Sequence, residues 1–442
     1  MRLPDARVML ALLLLGAAPV DRCRGLRSLS RRGLEVSATN DGAMCRVEGV
    51  ARPRPAAAIR FELWLPPATR WSGRYYQMGN GGFAGHIDRP TLAAAAARGD
   101  AAAATDTGHT GDGFDARWAK GRPDLVADYA WRSIKATYDA ARAVTRRYYG
   151  RGARRHYFMG CSYGGRQALV AASRWPADWD GVIAGAPATR WPERLRAFGQ
   201  IQRALTTSPI APDQVEPLIA IARRRCGGRG EGCGVRAAVE GCRRDHTRLC
   251  LTPAQAKTIA LIEAAGYPLA GGDAEEWRHW ILSADPQLPS QAAFATQAVS
   301  LASYDAMFKV GDLQAFAARG GRVLSYFGTA DAVLPPARAM ADATAVGATN
   351  EFYRLFLMPR MAHCQGGPGA LAFGQSVAAP AAVDDPTHDV RRSLEAWVEH
   401  GVAPDRLVAL RVDDKRLVIV RPVALRDVSG HDPLGRPRRD YN

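Results

Sequence analysis

Apolar positions along this chain alternate between two spacings, and the switches between them mark out the elements. From Cys45 to Asn80 the pattern is that of strands: "IRFELWLP" and "RYYQMGN" are rich in aromatic and branched residues, with Pro66, Pro67 and Gly73 between them. Directly after comes "GNGGFAG", residues 79–85, whose four glycines predict a tightly turned loop at the end of a strand. From Pro123 to Tyr149 the apolar residues Val126, Ala130, Ile134, Ala141 and Tyr148, with Tyr138 and Val144 nearby, follow a helical spacing that stops at Gly150 and Gly152. "HYFMG" then reads as a short buried strand, residues 166–174 as a helix stopped by Pro176, and "GVIAGAP" as another strand. Strand, helix and strand at this spacing predict a right-handed parallel βαβ unit, and so an α/β sheet.

From about Ala188 to Val310 the character changes to helical stretches with clustered cysteines, after which "GRVLSYFGTAD" and "FYRLFLMP" restore the strand pattern. This predicts one α/β domain in two parts, residues 19–187 and 311–442, with residues 188–310 inserted as a lid. Ahead of it, Arg2 and Arg7 precede an apolar run from Val8 to Leu15 that ends in Gly16, Ala17 and Ala18. That run is shorter than the ~20 residues a bilayer needs. Residues 1–18 read as a signal peptide, and the product as secreted or periplasmic; the alternative is a buried N-terminal helix. With 47% hydrophobic and 23% charged residues the rest is an ordinary globular chain, and no later stretch looks membrane-spanning.

The net charge of +16 changes this picture little. It comes mostly from arginines scattered along the chain, without a patch interleaved with aromatics, so they read as a solvated surface and nucleic acid is not an expected partner. Export matters more for the cysteines, at positions 23, 45, 161, 226, 233, 242, 250 and 364, because an oxidising compartment favours disulfides. Zinc would want paired CxxC spacing, and His246 alone between Cys242 and Cys250 does not supply it.

Gly160, Ser162 and Gly164 form G-x-S-x-G between the predicted strand and helix, the setting of a nucleophile elbow, although a serine there could also merely cap the helix. A serine needs a base and an orienting carboxylate. Asp331 and His363 each fall in a loop just after a predicted strand, in the order Ser, Asp, His. The later histidines His388, His400 and His431 do not follow strands and read as surface residues. Cys161 immediately precedes Ser162 and Cys364 immediately follows His363. A disulfide between them would draw their Cα atoms to roughly 4.4–6.8 Å and staple nucleophile to base. The loop closed is about 200 residues, for which chain entropy predicts on the order of 4–5 kcal/mol. The alternative is two unrelated buried thiols.

Taken together, "GNGGFAG", "TDTGHTGD", "GCSYGGRQAL", "GVIAGAP", "CLTPAQ", "GTADAVLPP" and "MAHC" resemble the tannase and feruloyl esterase family over about residues 23–405. The resemblance implies an α/β-hydrolase fold with a disulfide-containing lid, and a serine carboxylesterase for esters of aromatic acids such as gallate, ferulate or a terephthalate monoester. It casts Ser162 as nucleophile, Asp331 as orienter and His363 as base, with the Cys-Ser and His-Cys pairs joined by a disulfide. The oxyanion would be held by the backbone N–H of Tyr163 and one from the loop of Gly81 and Gly82. Asp106 and His109 of "TDTGHTGD" are read as supports of the site, because His363 already fills the one base a triad needs. The resemblance also pairs Cys23 with Cys45 and Cys226 with Cys242, leaving Cys233 with Cys250. Two departures stand out. The family's lid carries a calcium loop, whereas Cys226 is followed by "GGRGEGCGV" with only Glu231 as a carboxylate, so neither metal nor other cofactor is expected. The usual final cysteine pair is also missing, which predicts a loosely held C-terminal end. Trp277 and Trp280 are candidates for the substrate pocket, with core packing as the alternative. Competing readings are a lidded hydrolase of other carboxylic esters and a catalytically idle protein that binds phenolics or polyanions.

Overall fold

The computed structural model describes residues 22–226, 251–266, 269, 301–367 and 369–425. The expected signal peptide lies outside them, as do Glu231, Cys233, Cys242, His246, Cys250, Trp277, Trp280 and the C-terminal end from residue 426.

A ten-stranded sheet forms the body. Three strands open it, β1 (Leu34–Asp41), β2 (Met44–Ala51) and β3 (Ile59–Leu65), each antiparallel to the next. Then come β4 (Arg74–Met78) and β5 (Ala101–Thr105), with β5 pairing antiparallel to β3 and parallel to β4. From β4 onward β6 (Arg155–Cys161), β7 (Gly181–Gly185), β8 (Arg322–Gly328) and β9 (Tyr353–Met358) add in parallel. The burial pattern follows this change of partner. In β1, Leu34, Val36 and Ala38 alternate with exposed residues, whereas β5 and β7 are buried at every position, as a parallel strand covered on both faces must be.

Helices cover both faces. On one side pack α1 (Arg89–Ala97) and α9 (Val390–His400) with a small sheet of β10 (Leu371–Ala372), β11 (Leu407–Arg411) and β12 (Leu417–Val420). On the other pack α3 (Ser133–Tyr149) and α4 (Tyr163–Arg174). Between β7 and β8 the described residues build α5 (Trp191–Thr207), α6 (Pro212–Cys226), α7 (Pro253–Ala264) and α8 (Leu301–Phe308). Helices α5, α6 and α7 share an apolar core, of which Ala332 in the loop after β8 is also a member. Among the described residues no helix is long and apolar enough to cross a membrane.

Three expectations need correction. The single helix over 123–149 is broken: α2 (Pro123–Ala127) runs into one π-helical turn, Asp128–Arg132, before α3 begins. Helical spacing survives such a turn because it adds only one residue, so the apolar pattern hides it. The helix after Ser162 begins at Tyr163, three residues before the predicted start, because the glycines there are needed for close packing. The arginines are not all solvated: Arg166, Arg194 and Arg391 are buried, Arg166 held by carbonyls and Arg391 by the Asp100 carboxylate. At the far edge, the short strand β13 (Pro422–Val423) pairs antiparallel with β9 and ties down the last described residues.

Candidate active site

Parallel strands place their C-terminal ends along one edge, and Gly81, Gly82, Ser162, Tyr163, Asp331 and His363 each lie there or in the segment that follows. Ser162 occupies the turn between β6 and α4 with φ 60° and ψ −124°, a conformation foreign to most L-residues. Backbone bonds hold it: its N–H donates to Gly185 C=O at 2.9 Å, and its C=O accepts from Arg166 and Ala188 N–H, each at 3.1 Å. The flanking glycines are explained by crowding. A Cβ at residue 160 would meet Gly164 backbone at 2.5 Å, one at 165 would meet Gly185 O at 2.3 Å, and one at 79 would meet the Gly164 Cα at 2.6 Å. The elbow and the loop after β4 therefore touch backbone to backbone.

Asp331 and His363 come together. The carboxylate Oδ2 and the ring Nδ1 are 2.7 Å apart, while Oδ1 accepts the N–H groups of Val333 and Leu334, both at 2.8 Å. The Asp331 side chain is fully buried and that of His363 is 11% exposed, so one end of the pair is sealed and the other reaches the surface. A carboxylate on Nδ1 sets the ring tautomer and stabilises an imidazolium, which is what a general base requires of its neighbour. The two loops are laid against each other through Gly328 at the end of β8, where a Cβ would lie 2.1 Å from Met361 O.

Cys161 and Cys364 form a disulfide across 203 residues with their Cα atoms 5.9 Å apart, so Ser162 and His363 each stand one residue from the same bridge. Cys364 itself has φ 66°. Cys23 is bridged to Cys45, and Cys226 is disulfide-bonded to a residue outside the described ones. Replacing both Cys161 and Cys364 by alanine is expected to lower the unfolding free energy by about 3–5 kcal/mol, because the long loop is no longer closed in the unfolded chain. Urea unfolding would show this, and unchanged stability would mean that the sheet alone fixes the two loops.

Tyr163, Gly81 and Gly82 lie beside the elbow. Among the described residues none accepts a hydrogen bond from the backbone N–H of any of the three. Gly82 has φ 50° and a Cβ there would meet Gly113 O at 2.3 Å, whereas nothing crowds Gly81. Asn80 ties this loop to the elbow helix: its N–H donates to Gln167 Oε1 at 2.8 Å, and its side-chain amide donates to Thr105 C=O at 2.8 Å.

"TDTGHTGD" sits behind the same loop. His109 Nε2 lies 2.7 Å from Phe83 C=O, an acceptor only, so the proton is on Nε2 and Nδ1 accepts from the Thr107 hydroxyl at 3.1 Å. Burial lowers its pKa to about 4, which keeps the ring neutral near pH 7, and it stacks on Trp118 with centroids 3.7 Å apart. Asp106 accepts from the N–H groups of Gly108 and Arg60, yet burial raises its pKa to about 6. Neither residue touches Ser162 in the described contacts; His109 braces the loop from 79 to 85 through Phe83, while Asp106 holds the backbone at Arg60 and Gly108.

Sequence reasoning missed Arg166, Gln167 and Tyr129. Arg166 lies buried with Nη1 donating to Ala130 C=O at 2.9 Å and Nη2 to Phe308 C=O at 2.8 Å, which joins α4 to the π turn and to α8. Its place inside "GCSYGGRQAL" was the available signal; for Tyr129 there was none.

Among the described residues no group of three or more His, Cys, Asp or Glu could hold a metal. The segment in which the family's calcium loop would fall lies outside those residues.

Known proteins have a similar sequence and fold. The sequence model described as tannase and feruloyl esterase matches residues 45–267 and 290–426. An uncharacterized esterase of Xanthomonas campestris is 33% identical over 86% of this chain and 80% of its own. A probable feruloyl esterase B of Aspergillus clavatus is 28% identical over 82% of this chain and 78% of its own. The crystal structure of feruloyl esterase B from Aspergillus oryzae superposes with a TM-score of 0.73 at 24% identity, covering 91% of this chain and 94% of that one, which establishes the α/β-hydrolase fold. Family match, esterase relatives and shared fold agree over most of the chain, and it belongs to the tannase and feruloyl esterase family as a carboxylic ester hydrolase.

Proposed function

We propose that this chain is a secreted or periplasmic serine esterase that cleaves esters of aromatic, phenolic acids such as feruloyl or galloyl esters. The observation that carries the reading is the Asp331–His363 pair tethered through the Cys161–Cys364 bridge to the strained turn of Ser162. Feruloyl esters are named for the relatives from Aspergillus, and that is the support for the acid half of the substrate. Export rests on the N-terminal Arg-apolar-small pattern together with the disulfides.

In this mechanism His363 takes the proton of Ser162 Oγ as the oxygen bonds to the ester carbonyl carbon. The resulting oxyanion is met by the N–H of Tyr163 and one from Gly81 or Gly82, each such donor being worth about 10²–10³ in rate. Collapse breaks the bond to the alcohol oxygen, which takes its proton from His363 and leaves. Water, deprotonated by His363, then attacks the acyl-enzyme and releases the acid. Asp331 stays ionised and holds the imidazolium. Base, nucleophile and electrophile are all supplied by the chain, so we propose a reaction without metal or cofactor. Residues 188–310 would close over the substrate as a lid.

The test is hydrolysis of methyl ferulate, methyl gallate, mono-hydroxyethyl terephthalate and a short alkyl ester, beside labelling by a fluorophosphonate. Turnover of at least one aromatic ester above the alkyl ester is expected, with the label on Ser162. Labelling with hydrolysis of the alkyl ester alone would move the substrate class to other carboxylic esters; no labelling would leave a binding protein.

A further inference from the structure

Tyr129 is buried completely, and its place is odd for a bulky aromatic: it stands in the π-helical turn between α2 and α3, the local defect that the helical pattern concealed. π turns recur at functional sites because they redirect a side chain that a regular helix would aim elsewhere. Here the redirected ring reaches both halves of the proposed oxyanion hole. Its hydroxyl donates to Gly82 C=O at 2.6 Å. Its ring lies flat on that of Tyr163, with centroids 4.1 Å apart and planes 6° from parallel. Its own backbone C=O accepts from the Tyr163 hydroxyl at 3.1 Å.

We infer that Tyr129 is a positioning residue that sets the separation of the two oxyanion donors. The inference rests on the reading of Tyr163 and Gly81 or Gly82 as those donors. The need for such a part is physical. A donor helps only if it stands about 2.7–3.1 Å from the place the oxyanion will occupy, and Gly81 and Gly82 have no side chains of their own with which to fix their N–H groups. Gly82 has φ 50°, in a region where glycine alone is relaxed, so its peptide is set from outside. Two consecutive carbonyls of the loop are pinned, Gly82 by the Tyr129 hydroxyl and Phe83 by His109 Nε2–H. His109 acts from the side of Trp118, while Tyr129 alone of the two also stacks on Tyr163. The tyrosine thus links the donor after the nucleophile to the donor loop by one rigid ring and one hydrogen bond.

The hydroxyl can be removed without the ring. In Tyr129→Phe the stack on Tyr163 is kept and the fold should be retained, as thermal unfolding would verify. The expected result is a ten- to hundredfold fall in kcat on the best aromatic ester with KM within about threefold. Binding of a trifluoromethyl ketone of the same acid, which forms a tetrahedral oxyanion on Ser162, should weaken by a similar factor, while binding of the free acid should not. A fall in stability with kcat and trifluoromethyl ketone binding both unchanged would make the residue structural only and overturn the inference. So would a loss confined to KM. Ser162→Ala run in parallel separates the two levels: if that variant keeps turning over, the serine mechanism itself fails, whereas an inactive Ser162→Ala beside a fully active Tyr129→Phe removes only the role of the tyrosine.

Discussion

Ser162→Ala is expected to lose about 10⁴- to 10⁶-fold in kcat on any ester the protein turns over, with KM little changed. The loss is of the attacking atom and nothing else. The bonds that shape the elbow run through backbone: the N–H of residue 162 to Gly185, and its C=O to the N–H groups of Arg166 and Ala188. Alanine carries the same Cβ, so the unusual φ of 60° costs the variant no more than it costs the serine. Stability should accordingly shift by less than about 0.5 kcal/mol. Residual turnover would come from the oxyanion donors and from binding, with water as the nucleophile. Steady-state kinetics on the purified variant decides the matter. If it keeps more than about a tenth of the wild-type rate, another group attacks the ester and the elbow serves a different purpose.

What was legible in the sequence and what was not divide along a physical line. Ser162, Asp331 and His363 were readable because each needs a short run of strand before it and a loop after it, and strand ends are written in local composition. The glycines of the elbow were readable for the same reason, since a sharp turn admits few residue types. Strand β5 was not read: "AAAAT" carries no aromatic residue and only Thr105 is branched, and alanine gains a place in a sheet only when neighbours crowd both faces. Its pairing with β3 and β4 and its cover by α1 are long-range facts that five alanine-rich residues do not announce. β1 fell short of notice for a related reason, since "LEVSATND" alternates correctly but ends in residues typical of turns. Tyr129 belongs to this class as well. Its meaning depends on a one-residue bulge and on Gly82, 47 residues earlier, and the helical period is the same with or without it. The residues proposed to react were therefore visible locally, while the parts that hold them at their distances were mostly set by packing.

That distinction bears on Asp331, which braces its own loop and is proposed also to orient His363. Asp331→Asn is expected to lower kcat by about 10⁴ at neutral pH while leaving stability nearly intact. The amide oxygen can go on accepting the N–H groups of Val333 and Leu334, which Oδ1 now accepts at 2.8 Å each, so the amide NH₂ is turned to His363 Nδ1 in place of Oδ2. A donor there makes Nδ1 an acceptor and moves the ring proton to Nε2, and a protonated Nε2 cannot take the proton of a serine. Asp331→Ala should behave the opposite way in part. It leaves the tautomer unforced, but orphans two buried N–H groups at about 1–3 kcal/mol each. The pair of variants thus separates the bracing of the loop from the chemistry: the asparagine variant should be stable and slow, the alanine variant unstable. An asparagine variant within about tenfold of the wild-type rate would mean that this carboxylate only shapes its loop, and that the 2.7 Å contact with His363 carries no part of the reaction.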